Sequence, residues 1–382
     1  MNLDAKDVSE DFPTNKIYLN NASISLMPTP SIEAMNEFLK SYNSIGPDSI
    51  DSEPFVREIL IKTRKIIAKI LNCQPDEIIL TQSTTDGVNI VANGLSFDSN
   101  SNIIIRGMSH EHHANFYPWV RLKNKVEIKN LSIDKNGFFC FDEFNNFLDK
   151  NTKLVALSHA LYNTGSILPI EKIGKILGNK IPFFVDSAQT VGCLGKIDVK
   201  NLKCNFMAFN GSKWLCGPMG TGLFYCDRNS SNLLEPMSIG GESAMLYEGS
   251  NLSFKDLPEK FQTGFRNYVG MVGLESSANY LYKYGMENIR RKNIHLSNML
   301  REELSKNKKI NLYGPISSHE RTSIISFTID GYEPDVVVKK LEKQGIILAV
   351  REILDTKIIR ASPHFFNTES EILQVIDTIK KL

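Results

Sequence analysis

Short apolar runs bounded by turn residues alternate with segments of helical spacing through the first two thirds of the chain. EIILTQ (77–82) leads into STTDGVNIVANGL (83–95), a strand followed by a helix. NIIIRG (102–107), KLVALSHA (153–160), IPFFVDSA (181–188) and FMAFNG (206–211) read as buried strands, and IEKIGKIL (170–177) as a helix between two of them. Alternation of this kind predicts an α/β fold, with a mostly parallel sheet covered by helices on both faces. After about residue 255 the pattern changes. Residues 268–306 predict one or two long amphipathic helices, then a strand (321–330), a helix (334–344) and strands at 345–351 and 356–362. A last helix starts near Glu369. This order predicts a smaller α+β domain at 261–382, a large domain at 21–260, and an N-terminal arm (1–20) associated with the small domain.

Composition narrows the possible partners. Lys and Arg number 44 against 43 Asp and Glu, a net charge of +1, which gives no electrostatic case for nucleic acid or an anionic membrane. No apolar run approaches the ~20 residues of a membrane span. The N-terminal residues are polar and acidic, unlike a signal peptide. The six cysteines (Cys73, Cys140, Cys193, Cys204, Cys216 and Cys226) contain no C-x-x-C pair. In a chain of 382 residues they read as reduced thiols, which favours a cytoplasmic setting.

Ligands of open parallel sheets bind beyond the carboxyl ends of the strands. The polar residues there are Ser83-Thr84-Thr85, His110-Glu111-His112-His113, Asn163, Asp186 with Gln189, and Ser212-Lys213. Each has an ordinary explanation alone: a helix cap, a turn, a solvated charge. The histidine cluster raises the question of a metal, but zinc needs a third or fourth ligand; His159 or His364 could supply one, and neither is needed. We expect no metal.

A catalytic amine at Lys213 requires a desolvated setting. The apolar strand before it, Trp214 beside it and CGPMGTG after it supply one. That glycine run lacks the G-K-[ST] ending of a P-loop and precedes a strand rather than a helix. Thr84 and Thr85 at a helix N-terminus suit a phosphate monoester. A buried Asp186 can keep a pyridine nitrogen protonated, and Gln189 can donate to a ring hydroxyl. Amine, carboxylate and phosphate cradle together form the inventory that pyridoxal phosphate requires.

The segment FFVDSAQTVGCLGKIDVKNLKCNFMAFNGSKWLCGPMGTGLFY resembles the signature of the class V aminotransferase family, which includes the cysteine desulfurases. IYLNNASISLMP, STTDGVN, EHHANFYPW and RASPHFFNTESEI resemble four further motifs of that family, in the same order. The resemblance implies the fold-type I architecture, pyridoxal 5'-phosphate as cofactor, a homodimer and a small amino-acid substrate. Lys213 would hold the cofactor and then take the α-proton. His112 would stack on its ring. Thr84, Thr85 and Ser212 would serve its phosphate. Arg360 would bind the substrate carboxylate as a planar fork, with Asn163 beside the substrate and Arg351 a second candidate.

Departures from the family pattern bear on the reaction. Desulfurases carry a sulfur-accepting cysteine a dozen or more residues before the C-terminal arginine, but KQGIILAVREILDTKIIR has none. SHALYNTGSILPI has Tyr162 where desulfurases place an asparagine, and is similar to the motif of cysteine/cystine C–S lyases. Ser212 stands where many relatives have histidine, and Phe265 where desulfurases offer a threonine to the neighbouring subunit's phosphate. The expected reaction is β-elimination across the C–S bond of cysteine or a cysteine derivative. Alternatives are transamination of a small amino acid and persulfide-forming desulfuration, for which no sulfur-acceptor partner is indicated. A cofactor-free scaffold fits poorly with Lys213, Asp186 and Gln189 all present.

Overall fold

The computed structural model describes residues 8–247 and 251–382. A seven-stranded sheet forms its centre, in the order Ile78–Thr81, Gly222–Cys226, Phe206–Asn210, Phe183–Asp186, Thr152–Ser158, Asn102–Arg106, Glu127–Leu131. Only Gly222–Cys226 runs against its neighbours. Successive strand residues point to opposite faces, and here both faces are covered. Ile104, Val155, Leu157, Val185 and Met207 enter one core, while Ile103, Ile105, Leu154, Ala156 and Phe184 enter the other. Burial on both sides is why these strands read as continuous apolar runs.

Helix Thr84–Gly94 follows the first strand, with Ser83 as its cap: the Ser83 hydroxyl accepts from the Asp86 amide at 3.2 Å. Helices Thr29–Ile45 and Ser52–Leu71, absent from the sequence reading, pack against Tyr268–Tyr284. The stretch 268–306 forms two helices, broken at Gly285 (φ 100°), whose second member is Met286–Ser305.

The C-terminal part builds a second sheet, Ile310–Tyr313, Ile325–Ile329, Thr356–Ala361, Ala349–Ile353, all antiparallel, with its own core around Leu296, Phe327 and Ile359. Ile17–Tyr18 pairs with Ile346–Ile347, so the predicted strand 345–351 is two short ones. Beyond that pairing Asn21 donates to the Ser362 carbonyl at 2.9 Å, which carries residues 22–24 toward the large sheet. Strands Ala349–Ile353 and Thr356–Ala361 meet in a two-residue turn, with Ile353 opposite Thr356. Both turn residues have positive φ, Leu354 at 46° and Asp355 at 62°, as tight hairpins demand. Among the described residues no helix is long and apolar enough to cross a membrane.

Candidate active site

Thr81, Arg106, Ser158, Asp186 and Asn210 end strands that run the same way, so the segments after them meet at one edge of the sheet. A cavity of about 320 Å³ lies there, lined by Thr84, Thr85, His112, Asp186, Gln189, Lys213 and Arg360. Ser23, Ser158, Tyr162, Asn210 and Arg351 complete its wall.

Lys213 follows the strand Phe206–Asn210 in a turn closed by the Cys216 amide on the Lys213 carbonyl, 2.9 Å. Trp214 anchors this turn. Its indole donates to Gln189 Oε1 at 2.9 Å, and its carbonyl lies 3.1 Å from His364 Nε2. Gly192 makes the approach possible, since a Cβ there would sit 2.3 Å from the Trp214 carbonyl oxygen and its φ is 91°. Desolvation pulls the Lys213 pKa down to about 8; Asp186 opposes this, and Arg360 and Arg351 add to it. A useful share of neutral amine is therefore present near neutral pH.

Asp186 is 5% exposed, and one carboxylate oxygen accepts from the Ala188 amide at 2.9 Å. Burial raises its pKa, against the pull of that hydrogen bond and of Lys213. Gln189 spends one Nε2 hydrogen on the Ala22 carbonyl, 3.0 Å away. A primary amide has two such hydrogens, so one remains for a ligand.

The Thr84 hydroxyl is buried without a partner at the first turn of its helix. So is the side-chain oxygen of Asn210. An orphaned donor beside unpaired helix amides fits a phosphate, and Lys213 and Asp186 fit the aldehyde and ring nitrogen of pyridoxal phosphate. The residues present suit that cofactor.

His112 opens onto the cavity, its Nδ1 accepting from the Ala114 amide at 3.2 Å. Its partial enclosure, then Lys213, His113, Arg351 and Arg360, lower its pKa to about 4, so the ring is neutral. The other two histidines of the cluster turn elsewhere. His113 stacks on Tyr117 at 4.7 Å, and buried His110 accepts from the Asp134 amide at 3.1 Å. Among the described residues no group of three or more His, Cys, Asp or Glu is placed to hold a metal.

Glu111 has surroundings that its place in the histidine cluster does not announce. Fully buried, it accepts from the Ser158 amide (3.0 Å), from the Ser158 hydroxyl and from Asn115 (2.8 Å). Burial nevertheless raises its pKa to about 7. Ser158 stands opposite Asp186 in the sheet register, which ties this buried acid to the cavity floor.

Arg360 is 1% exposed. It donates to the Tyr162 carbonyl and to the Ser23 hydroxyl, both at 2.6 Å, while its Nε finds no partner. Arg351 also reaches Ser23, at 2.5 Å. Burial and the mutual repulsion of the two guanidinium groups pull the Arg360 pKa well down.

Two expected residues lie off the cavity wall. Asn163 is fully buried, and its amide is committed to the Ser109 and Glu352 carbonyls at 2.6 and 3.0 Å. Its oxygen accepts from the Thr164 amide at 2.9 Å. It braces the hairpin of strands Ala349–Ile353 and Thr356–Ala361 and does not line the cavity. Ser212 offers its carbonyl to the Ser25 amide at 2.8 Å and is not part of the lining.

A family model described as aminotransferase class-V matches residues 17–375. The chain belongs to that family. A probable cysteine desulfurase of Methanothermobacter thermautotrophicus is 30% identical, over 99% of this chain and 98% of its own. The solved cysteine desulfurase of Thermococcus onnurineus NA1 superposes with a TM-score of 0.91 at 28% identity, covering 99% and 97% of the two chains. The cystine C–S lyase C-DES, solved with its reaction product cysteine persulfide, gives a TM-score of 0.87 at 25% identity, covering 96% and 97%. Another C-DES structure carries glycine covalently linked to the PLP cofactor (TM-score 0.88, 25% identity, coverage 97% and 98%).

Proposed function

We propose that this chain is a pyridoxal-phosphate enzyme that breaks the C–S bond of cysteine or a cysteine derivative by β-elimination. One observation carries the reading: a single cavity joins Lys213 and Asp186 to Arg360 and holds no thiol. When bound, the cofactor supplies an electron sink for charge developing at the substrate α-carbon. The remaining work falls to the chain. Lys213 binds the cofactor aldehyde and later takes the α-proton, which its pKa of about 8 suits. Asp186 would keep the ring nitrogen protonated, the Thr84 hydroxyl and helix N-terminus would hold the phosphate, and His112 would cover the ring. Arg360 orients the substrate carboxylate.

Elimination is favoured over desulfuration by the hairpin. In desulfurases the segment before the C-terminal arginine holds a mobile cysteine, but here it is the two-residue turn Leu354-Asp355 between paired strands. Among the described residues this segment leaves no loop in which a thiol could travel. The cysteines with resolved shifts (Cys73, Cys193, Cys204, Cys216 and Cys226) are all pushed up by burial, away from the reactive thiolate.

We also infer a homodimer. Met237, Ile239, Met245, Leu246, Leu252 and Phe265 are large, apolar and exposed, and all fall between positions 237 and 265, as a surface meant to be covered would be.

Reconstitution with pyridoxal phosphate tests the reading. A visible absorption band should appear, and cysteine, cystine or a cysteine conjugate should yield pyruvate. Alanine, or a product that forms only with a keto-acid acceptor, would replace elimination by desulfuration or transamination.

A further inference from the structure

We propose that Tyr162 is the proton donor to the departing sulfur, an assignment that rests on the elimination reading above. The cavity fixes two points of a bound amino acid: the α-carbon at Lys213 and the carboxylate at Arg360. Arg360 donates to the Tyr162 backbone carbonyl at 2.6 Å, so this tyrosine is attached directly to the carboxylate anchor. Its ring meets His112 edge-on, with centroids 5.2 Å apart and planes at 89°. The ring therefore lines the cavity beside His112 while its backbone is held at the carboxylate site, which leaves the phenol as a donor on the cavity wall for the substrate's β-substituent.

Other donors of the cavity are already engaged. The Ser23 hydroxyl, which accepts from Arg351 and Arg360, donates its own hydrogen to Asn20 Oδ1 at 2.7 Å, and Ser158 donates to Glu111. Lys213 would be used at the α-carbon, and the His112 ring would lie against the cofactor. Among the described residues nothing hydrogen-bonds the Tyr162 hydroxyl, whose surroundings are set by burial, then by Arg351 and Arg360, with Glu352 and Glu111 opposing. Burial keeps the phenol protonated until it is needed. The two cations then favour the phenolate left behind.

The step balances as follows. Lys213 takes the α-proton, the electron pair left on the α-carbon forms the Cα–Cβ double bond, and the Cβ–S pair leaves with sulfur. The phenol proton moves to that sulfur, giving a neutral thiol or persulfide. The proton held by Lys213 returns to the phenolate through cavity water. Water then hydrolyses the released enamine to pyruvate and ammonia, and nothing is oxidised or reduced externally.

Only a basic leaving group needs this proton, so the test compares two. Tyr162→Phe, loaded with pyridoxal phosphate, is assayed on 3-chloroalanine, whose chloride needs no proton, and on the best sulfur substrate. The expected result is a loss of about 10²-fold on sulfur, the lower range for general acid catalysis, with the chloroalanine rate and the cofactor absorption band unchanged. Equal losses on both, or none, overturn the assignment. If the variant does not fold, the parent chain decides with a series of S-aryl cysteines of graded thiol acidity. A shallow dependence of rate on thiol acidity supports the donor, and a steep one overturns it. A loaded parent that leaves every sulfur substrate and chloroalanine untouched overturns the elimination reading, and this proposal with it.

Discussion

Arg351 and Arg360 donate to one hydroxyl, Ser23 Oγ, at 2.5 and 2.6 Å. Among the described residues neither guanidinium has a carboxylate within ion-pair distance. A shared neutral acceptor leaves this corner of the cavity strongly positive. An unpaired buried charge destabilises the protein that holds it, and a substrate carboxylate bound here would relieve that strain.

The relief is measurable. Arg360→Lys should raise KM roughly 10- to 100-fold, because an ammonium cannot make the bidentate fork, while the cofactor band stays in place. Arg360→Met should abolish turnover yet melt no lower than the unliganded parent. A clear drop in Tm for Arg360→Met would mean that the arginine is a structural brace.

Attachment of the cofactor should follow the Lys213 amine. Mixing the apo chain with pyridoxal phosphate at a series of pH values should show the rate rising through about pH 8, where the neutral form takes over. Lys213→Ala should lose both the lysine-linked band and turnover. A mutant with an unchanged band would place the covalent link elsewhere.

Acid should weaken the fold through its buried histidines. Burial lowers the pKa values of His110 and His159 to about 4 and of His364 to about 3. Unfolded, each takes up a proton near pH ~6.5. Their contribution is therefore complete above that pH and is lost as pH falls toward 4 and below, at about 1.4 kcal/mol per pH unit for each histidine. His159, whose Nδ1 has no partner, gives the clearest test. His159→Phe should flatten the fall of the urea midpoint between pH 6.5 and 4.5 by one proton's worth. An unchanged slope would mean that His159 binds no extra proton on unfolding.

Much of this architecture was legible because the central strands are apolar on both faces. Glu127–Leu131 was not: it lies at the sheet edge, and its exposed Glu127 and Asn130 break the pattern. Helix Ser52–Leu71 carried a usable signal in Val56, Thr63, Ile66, Ile67 and Ile70, spaced to one buried face. Lys213, Asp186 and Thr84 could be placed because each ends or follows a strand whose carboxyl end faces the cavity. Asn163 shows the limit of that rule. Its amide is claimed by carbonyls 54 and 189 residues away in the chain, and no local pattern announces such partners. Ser23 is similar, since it reaches the arginines only because Ile17–Tyr18 joins the strand at Ile346–Ile347. Ser158 was within reach, for it too ends a strand of the sheet.

The distribution of products decides most directly between elimination and transfer of sulfur. The loaded chain, with Cys216→Ala and then with all six cysteines replaced where folding tolerates it, is given cysteine and cystine, and pyruvate, alanine and protein-bound persulfide are assayed together. Elimination needs no protein thiol, so pyruvate with an equal amount of a sulfur-containing coproduct should form at most of the parent rate. Alanine accompanied by an enzyme-bound persulfide that vanishes with one particular cysteine would contradict it.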